Sequence, residues 1–399
     1  MAEDPWLTIV GLGEDGPQGL SPASQSAIDQ AEVVFGAARH IALLGDVSAE
    51  TQVWPVPFAD GLPLLDERAG QRVAVLASGD PFWFGAGRVL AERYGPDAIR
   101  SLPGPSTFSL AAARLRWGLE KTLCLGLHAA PLAQLRPHLA PGRRIIVLLR
   151  DGDAVADLGE YLAKAGFGAS DMTVLEALGG PRERVTRTSA TALADGVFKH
   201  PVAAAIEVAG EGPSVPSASG LADDWFANDG QLTKRPIRAI TLSTLAPRFG
   251  EHLWDIGGGS GSIAIEWCLS DPSTSASVVE MHPDRAQRIR DNAAAMGIER
   301  VTVVEATAPQ GLANLAPPDA VFVGGGLTRD LIADIVSRVP AGTRLVANGV
   351  TLEAEAVLAQ CQAAYGGTLM RIEIANAGPL GGKRGWQPSY PVVQWSAVL

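Results

Sequence analysis

Short aliphatic runs alternate with alanine-rich helical stretches along the whole chain, the pattern of an α/β protein. In the first half the strand candidates are Leu7–Val10, Val73–Leu76, Thr122–Leu125, Ile145–Leu149, Met172–Leu175 and Val202–Val208, with helices such as Pro105–Trp117 and Ala154–Ala165 between them. The run Gly210–Gly220 breaks this rhythm with glycine, proline and serine, the composition of a linker or exposed loop. Residues 1–209 and 223–399 are therefore expected to be separate domains joined by a linker at 210–222.

The second half restarts the alternation. Strands are expected at His252–Ile256, Val278–Glu280, Val301–Glu305, Ala320–Val323, Arg344–Ala347, Leu369–Ile374 and Pro391–Trp395, with helices between the first five. The last two strands are separated by a Gly/Pro stretch without room for a helix, so they should pair antiparallel. Five β-α units and a terminal hairpin make a doubly wound sheet with one reversed strand.

Composition narrows the function. The 399 residues are 47% hydrophobic and 19% charged, which excludes a disordered chain. The net charge of −11 argues against a general nucleic-acid binder, which needs a basic surface. Of 32 basic residues only five are lysine, and an arginine excess suits bidentate carboxylate binding. The three cysteines and six histidines are scattered, with no metal-ligand spacing, so no metal site is expected and free thiols in the cytoplasm are. The N-terminus does not read as a signal peptide, and the aliphatic runs are too short to span a membrane.

Two glycine loops differ in kind. Asp255-Ile-Gly-Gly-Gly-Ser-Gly261 follows a strand and precedes a helix, with Gly257, Gly259 and Gly261 spaced for close backbone approach. Ser262 stands where a dinucleotide fingerprint needs glycine. An acid two residues before the first glycine suits a sulfonium or ammonium ligand, and Glu280 ends the next strand where a ribose diol is held. This arrangement resembles the S-adenosylmethionine site of class I methyltransferases. Gly11-Leu-Gly-Glu-Asp-Gly16 is a literal G-x-G-x-x-G, the basis of an alternative reading as an NAD-dependent oxidoreductase. Glu14 and Asp15 oppose a pyrophosphate there. Pro17 interrupts the helix, whose start falls later, at the Ser21 N-cap and Pro22.

Further motifs are Ser78-Gly-Asp-Pro81 at a strand end and Pro103-Gly-Pro-Ser-Thr107 opening a helix, where Ser106 and Thr107 can cap or bind ligand. With Val10–Gly13 they make the N-terminal half resemble the tetrapyrrole (class III) methyltransferases. Leu232-Thr-Lys-Arg-Pro-Ile-Arg238, Asp255–Gly261, Phe322–Gly326 and Ala347–Glu353 make the C-terminal half resemble the decarboxylating precorrin methyltransferases. Both halves in this order resemble the fused methyltransferases of cobalamin biosynthesis, over nearly the whole chain.

The resemblance implies two S-adenosylmethionine sites, one per domain. It implies methylation of carbons 5 and 15 of precorrin-6B and loss of the ring C acetate carboxyl as CO2. The first domain would methylate carbon 5 and the second carbon 15. It also implies a homo-oligomer, a tetramer by family analogy, with no nucleic-acid or membrane partner. A third reading is a single-site methyltransferase fused to a non-catalytic binding module. The cofactor residues implied are Gly11, Gly13, Ser78, Gly79, Asp80, Pro81, Ser106 and Thr107 in the first domain. In the second they are Thr233, Asp255, Gly257, Gly259, Ser260, Gly261, Glu280 and Ala306. Lys234 and Arg238 are candidates for the substrate carboxylates, as are Arg235, Lys383 and Arg384; Asn348 and Thr351 lie at a strand end where open sheets bind ligands. His128 is a candidate proton acceptor. Trp83, Phe84 and Trp386 are expected to pack in the core rather than stack on a macrocycle.

Overall fold

The computed structural model describes residues 5–195 and 197–399. The chain forms two compact units, Met1–Pro131 with Leu139–Pro213, and Leu132–His138 with Ser214–Leu399.

The first unit holds two five-stranded sheets. In the first, the order is Glu50–Val53, Val33–Gly36, Val73–Ser78, Leu7–Leu12, Ile99–Leu102, all parallel. The central strands are buried almost throughout, as a parallel sheet covered on both faces requires. The second sheet runs Thr122–Gly126, Arg144–Leu149, Val202–Glu207, Asp171–Glu176, Arg184–Ser189, with only the first pair parallel. The helix after the first strand starts where the sequence places it: Ser21 accepts from the Ser24 amide and Pro22 opens the helix. Four strands escape the pattern, Val33–Gly36, Glu50–Val53, Ile99–Leu102 and Arg184–Ser189. Each of the first three has only four residues, and the last, reading Arg-Val-Thr-Arg-Thr-Ser, is an edge strand with little apolar signal.

The second unit is a seven-stranded sheet in the order Val301–Glu305, Ser275–Glu280, His252–Ile256, Ala320–Val323, Arg344–Gly349, Val392–Val398, Thr368–Ile372. The first five are parallel. Val392–Val398 inserts antiparallel between Arg344–Gly349 and Thr368–Ile372. The expected antiparallel pair is present, with two corrections around it. The connecting Gly/Pro stretch is itself a two-stranded ribbon, Ala375–Leu380 against Lys383–Pro388. Between Glu305 and Ala320 there is no α-helix, only the short 3-10 turn Gln310–Leu312. Gly210–Gly220 carries neither helix nor strand, and the Gly220 and Leu221 amides donate to Glu266 at 2.6 and 3.0 Å.

Glycine is required where neighbouring strands of the first sheet end. A Cβ on Gly11 would lie 1.9 Å from the Gly79 carbonyl oxygen and 2.3 Å from the Gly104 nitrogen, while one on Gly382 would meet nothing. Gly11→Ala is expected to destabilise the chain by about 2 kcal/mol or more, because backbone cannot yield as a side chain does. Gly382→Ala is expected to leave the urea midpoint unchanged.

Candidate functional site

In the first unit, the three motif loops meet at the carboxyl ends of three adjacent parallel strands, where open sheets bind ligands. The Gly79 amide donates to the Leu12 carbonyl at 3.1 Å and the Gly104 amide donates to the Gly79 carbonyl at 3.0 Å. Gly11, Gly79 and Gly104 thereby bring Gly13, Ser78–Pro81 and Pro105–Thr107 to one place. Asp80 accepts from the Phe82 amide at 2.9 Å, fixing the turn. Ser106 is buried and caps the helix Thr107–Leu115 by accepting from the Ser109 amide, one of the two roles expected of it. Ser78 is exposed, and its hydroxyl accepts from Arg39 Nη2 at 2.8 Å. Beside it, Phe82, Trp83 and Phe84 are 52, 39 and 49% exposed, and Trp83 and Phe84 lean on Phe108. His128 sits exposed in the turn after Thr122–Gly126.

In the second unit a cleft of about 1560 Å³ opens at the carboxyl ends of the parallel strands. Thr233, Asp255, Gly257, Gly259, Ser260, Glu280 and Ala306 all line it, as do Lys234, Asn348 and Gly324–Gly326, whereas Gly261 does not. Gly257, Gly259 and Gly261 have φ of +73, +58 and +77°, conformations that side chains disfavour. A Cβ on Gly257 would fall 2.7 Å from Gly325, so the loops after two neighbouring strands touch through glycine. The Glu280 carboxylate accepts from the Gly259 amide at 2.9 Å and the His282 amide at 3.0 Å, tying it to the glycine loop.

Two buried polar atoms at this loop have no partner: Asp255 Oδ1 and Ser260 Oγ. Buried polar atoms are normally paired, so an unpaired couple in a cleft fits a polar ligand. The donor set fits S-adenosylmethionine: an acid for its positive end, a second acid at the next strand end, and open glycine backbone between.

Lys234 stands at the N-cap of the helix Arg235–Leu245 with its amine exposed, 3.9 Å from Asp223. Asn348 is held from behind: its Nδ2 donates to Thr241 Oγ1 at 2.9 Å and its Oδ1 accepts from Gln394 Nε2 at 2.9 Å.

Four expectations are corrected. Arg238 is fully buried and does not reach the cleft. It donates to Glu266 at 2.6 Å, to Asp223 at 3.2 Å and to the Thr233 and Leu221 carbonyls, and it lies over the Phe226 ring. Thr351 is the exposed N-cap of the helix Leu352–Tyr365, accepting from Ala354, and is outside the cleft lining. Lys383 and Arg384 belong to the exposed ribbon and do not line the cleft, and Arg235, exposed at the start of its helix, does not line it either. Trp386 is 76% exposed rather than core-packed, and Trp83 and Phe84 are likewise exposed. Sequence reasoning missed Met281, His282, Arg285 and Tyr390 in the lining. Met281 and His282 follow directly on Glu280, a position that pointed to them, and Arg285 lies in the first turn of the helix Pro283–Ala295 that comes next.

Residues 6–194 match the family profile described as Tetrapyrrole (Corrin/Porphyrin) Methylases, and residues 224–399 match that of a Precorrin methyltransferase domain. Fold and site thus define a two-unit methyltransferase of the tetrapyrrole class. The Precorrin-6Y C(5,15)-methyltransferase [decarboxylating] of Sinorhizobium sp is 49% identical over 397 residues, covering 98% of this chain and 96% of that protein. The chain belongs to the family of decarboxylating precorrin-6Y C(5,15)-methyltransferases. Two shorter proteins of Salmonella typhimurium are also similar. Its Cobalt-precorrin-7 C(5)-methyltransferase is 26% identical over 45% of this chain and 88% of its own length. Its Cobalt-precorrin-6B C(15)-methyltransferase (decarboxylating) is 29% identical over 40% of this chain and 85% of its own length. An oxidoreductase reading of the Gly11–Gly16 loop is set aside by this membership.

Arg238→Ala is expected to cost about 3–5 kcal/mol in urea unfolding, because it leaves Glu266 charged and buried. Burial pushes the Asp255 carboxyl up to about 7, opposed by the Ala264 amide and reinforced by Glu280. Its folded value exceeds the ordinary 3.8, so between those values the native chain keeps a proton the unfolded chain has lost. Stability therefore falls as pH rises through that window. Asp255→Asn is expected to flatten the fall between about pH 4 and 7, read from urea midpoints without ligand.

Proposed function

We propose that the chain transfers methyl groups from S-adenosylmethionine to carbons 5 and 15 of precorrin-6B and removes the ring C acetate carboxyl, giving precorrin-8X in cobalamin biosynthesis. The observation that carries this reading is the 49% identity, over 98% of the chain, to a precorrin-6Y C(5,15)-methyltransferase [decarboxylating]. Two single-carbon relatives, each about half this chain's length, support a division of labour. The first unit takes carbon 5; the second takes carbon 15 and the decarboxylation.

Each unit would hold one cofactor. In the second, Asp255 and Glu280 bracket the glycine loop, with Thr233, Ser260 and Ala306 completing the wall. In the first, the converging loops with Gly11, Gly13, Ser78–Pro81 and Thr107 make the cradle. The bound cofactor supplies an electrophilic methyl on sulfur. The protein then needs to place an electron-rich meso carbon in line behind it and keep water out. Each transfer forms one C–C bond, breaks one S–C bond and releases the proton from the meso carbon. His128 is a candidate to receive it in the first unit.

Decarboxylation breaks the bond to the acetate carboxyl, releases CO2 and sends the electron pair into the tetrapyrrole's conjugated imines; the remaining methylene carbon then takes up a proton and becomes a methyl group. Lys234 and Asn348 line the cleft and suit the substrate carboxylates. Gly324–Gly326 leaves room for a flat macrocycle. Three free thiols, Cys124, Cys268 and Cys361, suit the reducing cytoplasm, and no helix among the described residues is long and apolar enough to cross a membrane.

Incubating the full chain with precorrin-6B and S-adenosylmethionine is expected to add two methyl groups and remove one CO2 by mass. A gain of one methyl by the native chain would sink the two-site reading. Asp255→Asn is expected to keep the carbon 5 methyl and lose most of the carbon 15 methylation. Lys234→Ala is expected to raise KM about tenfold for the carbon 15 step.

A further inference from the structure

We propose that Arg39 and Arg182 form a socket for one carboxylate of the tetrapyrrole in the N-terminal unit, with Glu14 as the resident anion that holds the two guanidinium groups in place. This deepens the reading of that unit as a tetrapyrrole methyltransferase and rests on it.

Glu14 follows the glycine loop at the end of Leu7–Leu12, Arg39 lies just past Val33–Gly36, and Ser78 ends Val73–Ser78. All three sit at the carboxyl edge of the first sheet, where the motif loops converge. Arg182 comes from the second sheet's side of the unit, on the loop after Asp171–Glu176. That loop rests on Glu14: a Cβ on Gly180 would be 2.5 Å from the Glu14 carbonyl oxygen.

Glu14 is only 7% exposed and uses one oxygen for each arginine, Oε1 accepting from Arg39 Nη1 and Oε2 from Arg182 Nη2, the latter at 2.8 Å. Among the described residues no other carboxylate is paired with either guanidinium, so one negative charge faces two positive ones. The surroundings do not cancel the remainder. Arg39 Nη2 lies 2.9 Å from His40 Nε2 and 2.8 Å from Ser78 Oγ, and Ser78 lies 2.9 Å from the same imidazole nitrogen. Burial first, and then the Arg39 charge, push His40 down to about 4, and His200 is lowered for the same two reasons. Both imidazoles are therefore neutral near pH 7 and add no counter-charge.

The socket is reachable. The Arg182 side chain is 58% exposed and Arg39 26%, whereas the anion between them is buried. A substrate carboxylate approaching from solvent meets guanidinium N–H groups first and the exposed Ser78 hydroxyl beside them. Arginine suits this task because its fork binds carboxylates with two donors at once.

The alternative role for the trio is structural, a cross-link between the two sheets of the unit, and the two roles predict opposite behaviour for the anion. If Glu14 only cross-links, Glu14→Gln and Arg182→Ala both weaken the unit and affect the substrate alike. If the trio is a socket, Arg182→Ala removes a donor, whereas Glu14→Gln keeps an amide oxygen that still orders a guanidinium group and removes only the charge that competes with the substrate.

The test uses the full chain with S-adenosylmethionine and precorrin-6B. KM for methyl gain at carbon 5 is read by product mass, and tetrapyrrole binding by tryptophan quenching at several salt concentrations. Arg182→Ala is expected to raise KM at carbon 5 by about ten- to a hundredfold, flatten the salt dependence of binding, and leave cofactor affinity and the carbon 15 step unchanged. Arg182→Lys is expected to restore part of the loss, and Glu14→Gln to tighten binding. Arg182→Ala with native tetrapyrrole affinity, or Arg182→Ala and folded Glu14→Gln weakening binding alike, overturns the socket. Should Glu14→Gln not fold, the salt dependence of Arg182→Ala decides: a flattened slope at unchanged cofactor affinity supports the socket, and weaker binding with the native slope overturns it. A native chain that never methylates carbon 5 would instead defeat the reading of the unit, and the quenching arm would still decide the socket.

Discussion

Backbone must touch backbone where neighbouring parallel strands end, and both candidate sites depend on that contact. At Gly11 the carbonyl of Gly79 occupies the space of a Cβ, and the Gly79–Gly104 hydrogen bond extends the contact to a third strand. At Gly257 the same role falls to Gly325. Parallel sheets send successive loops out of one edge, so loops from adjacent strands compete for one volume. Glycine lets them share it.

Buried polar networks set the walls around these loops. The Arg238–Glu266 pair is enclosed, but every group has a partner: Glu266 also accepts from Gly220 and Leu221, and Arg238 also donates to Thr233 and Leu221 carbonyls. Such a pair adds little net stability compared with apolar packing, yet losing one member strands a charge. Its consequence is positional. It fixes the segment from Leu221 to Thr233, and so places Thr233 and Lys234 at the mouth of the cleft. The Thr241–Asn348–Gln394 group does the same for the opposite wall, orienting an amide that lines the cleft.

The glycine loops were legible because their chemistry is written in contiguous residues. Asp255–Gly261 and Glu280 needed only a strand-turn-helix context, which the alternation of apolar runs supplied. Arg238 was misjudged for a physical reason. Its neighbour Lys234 is solvent-facing, but four residues on in the helix Arg235–Leu245 the side chain turns inward, and only the location of Glu266 reveals why. The ribbon Ala375–Pro388 was hidden because it packs little: Trp386 and Leu380 are exposed, so no alternation of buried and open positions marks its strands. Glu14 gave no sign of its partners, which lie 25 and 168 residues away.

An acidic chain that takes a polycarboxylate must concentrate positive charge locally, and the ion pairs indicate how. Among the arginines in described ion pairs, most are matched one to one: Arg344 by Glu251, Arg184 by Glu176, Arg114 by Glu183. Such pairs present no net charge to a ligand. Charge is left over where two guanidinium groups share one carboxylate, and each unit has such a place. In the first, Arg39 and Arg182 share Glu14; in the second, Arg285 and Arg288 share Asp229 at 2.8 and 3.2 Å, and Arg285 lines the cleft. Hydrogen bonds from Arg285 and the Gln231 amide hold the Asp229 carboxyl well below the usual range, so it remains a fixed anion across physiological pH. A shared carboxylate orders the forks that a lone arginine would leave mobile, and it cancels only half of their charge. Preordered, partly neutralised cations attract an anion at less cost in side-chain entropy than free ones, and they do so without changing the sign of the whole molecule.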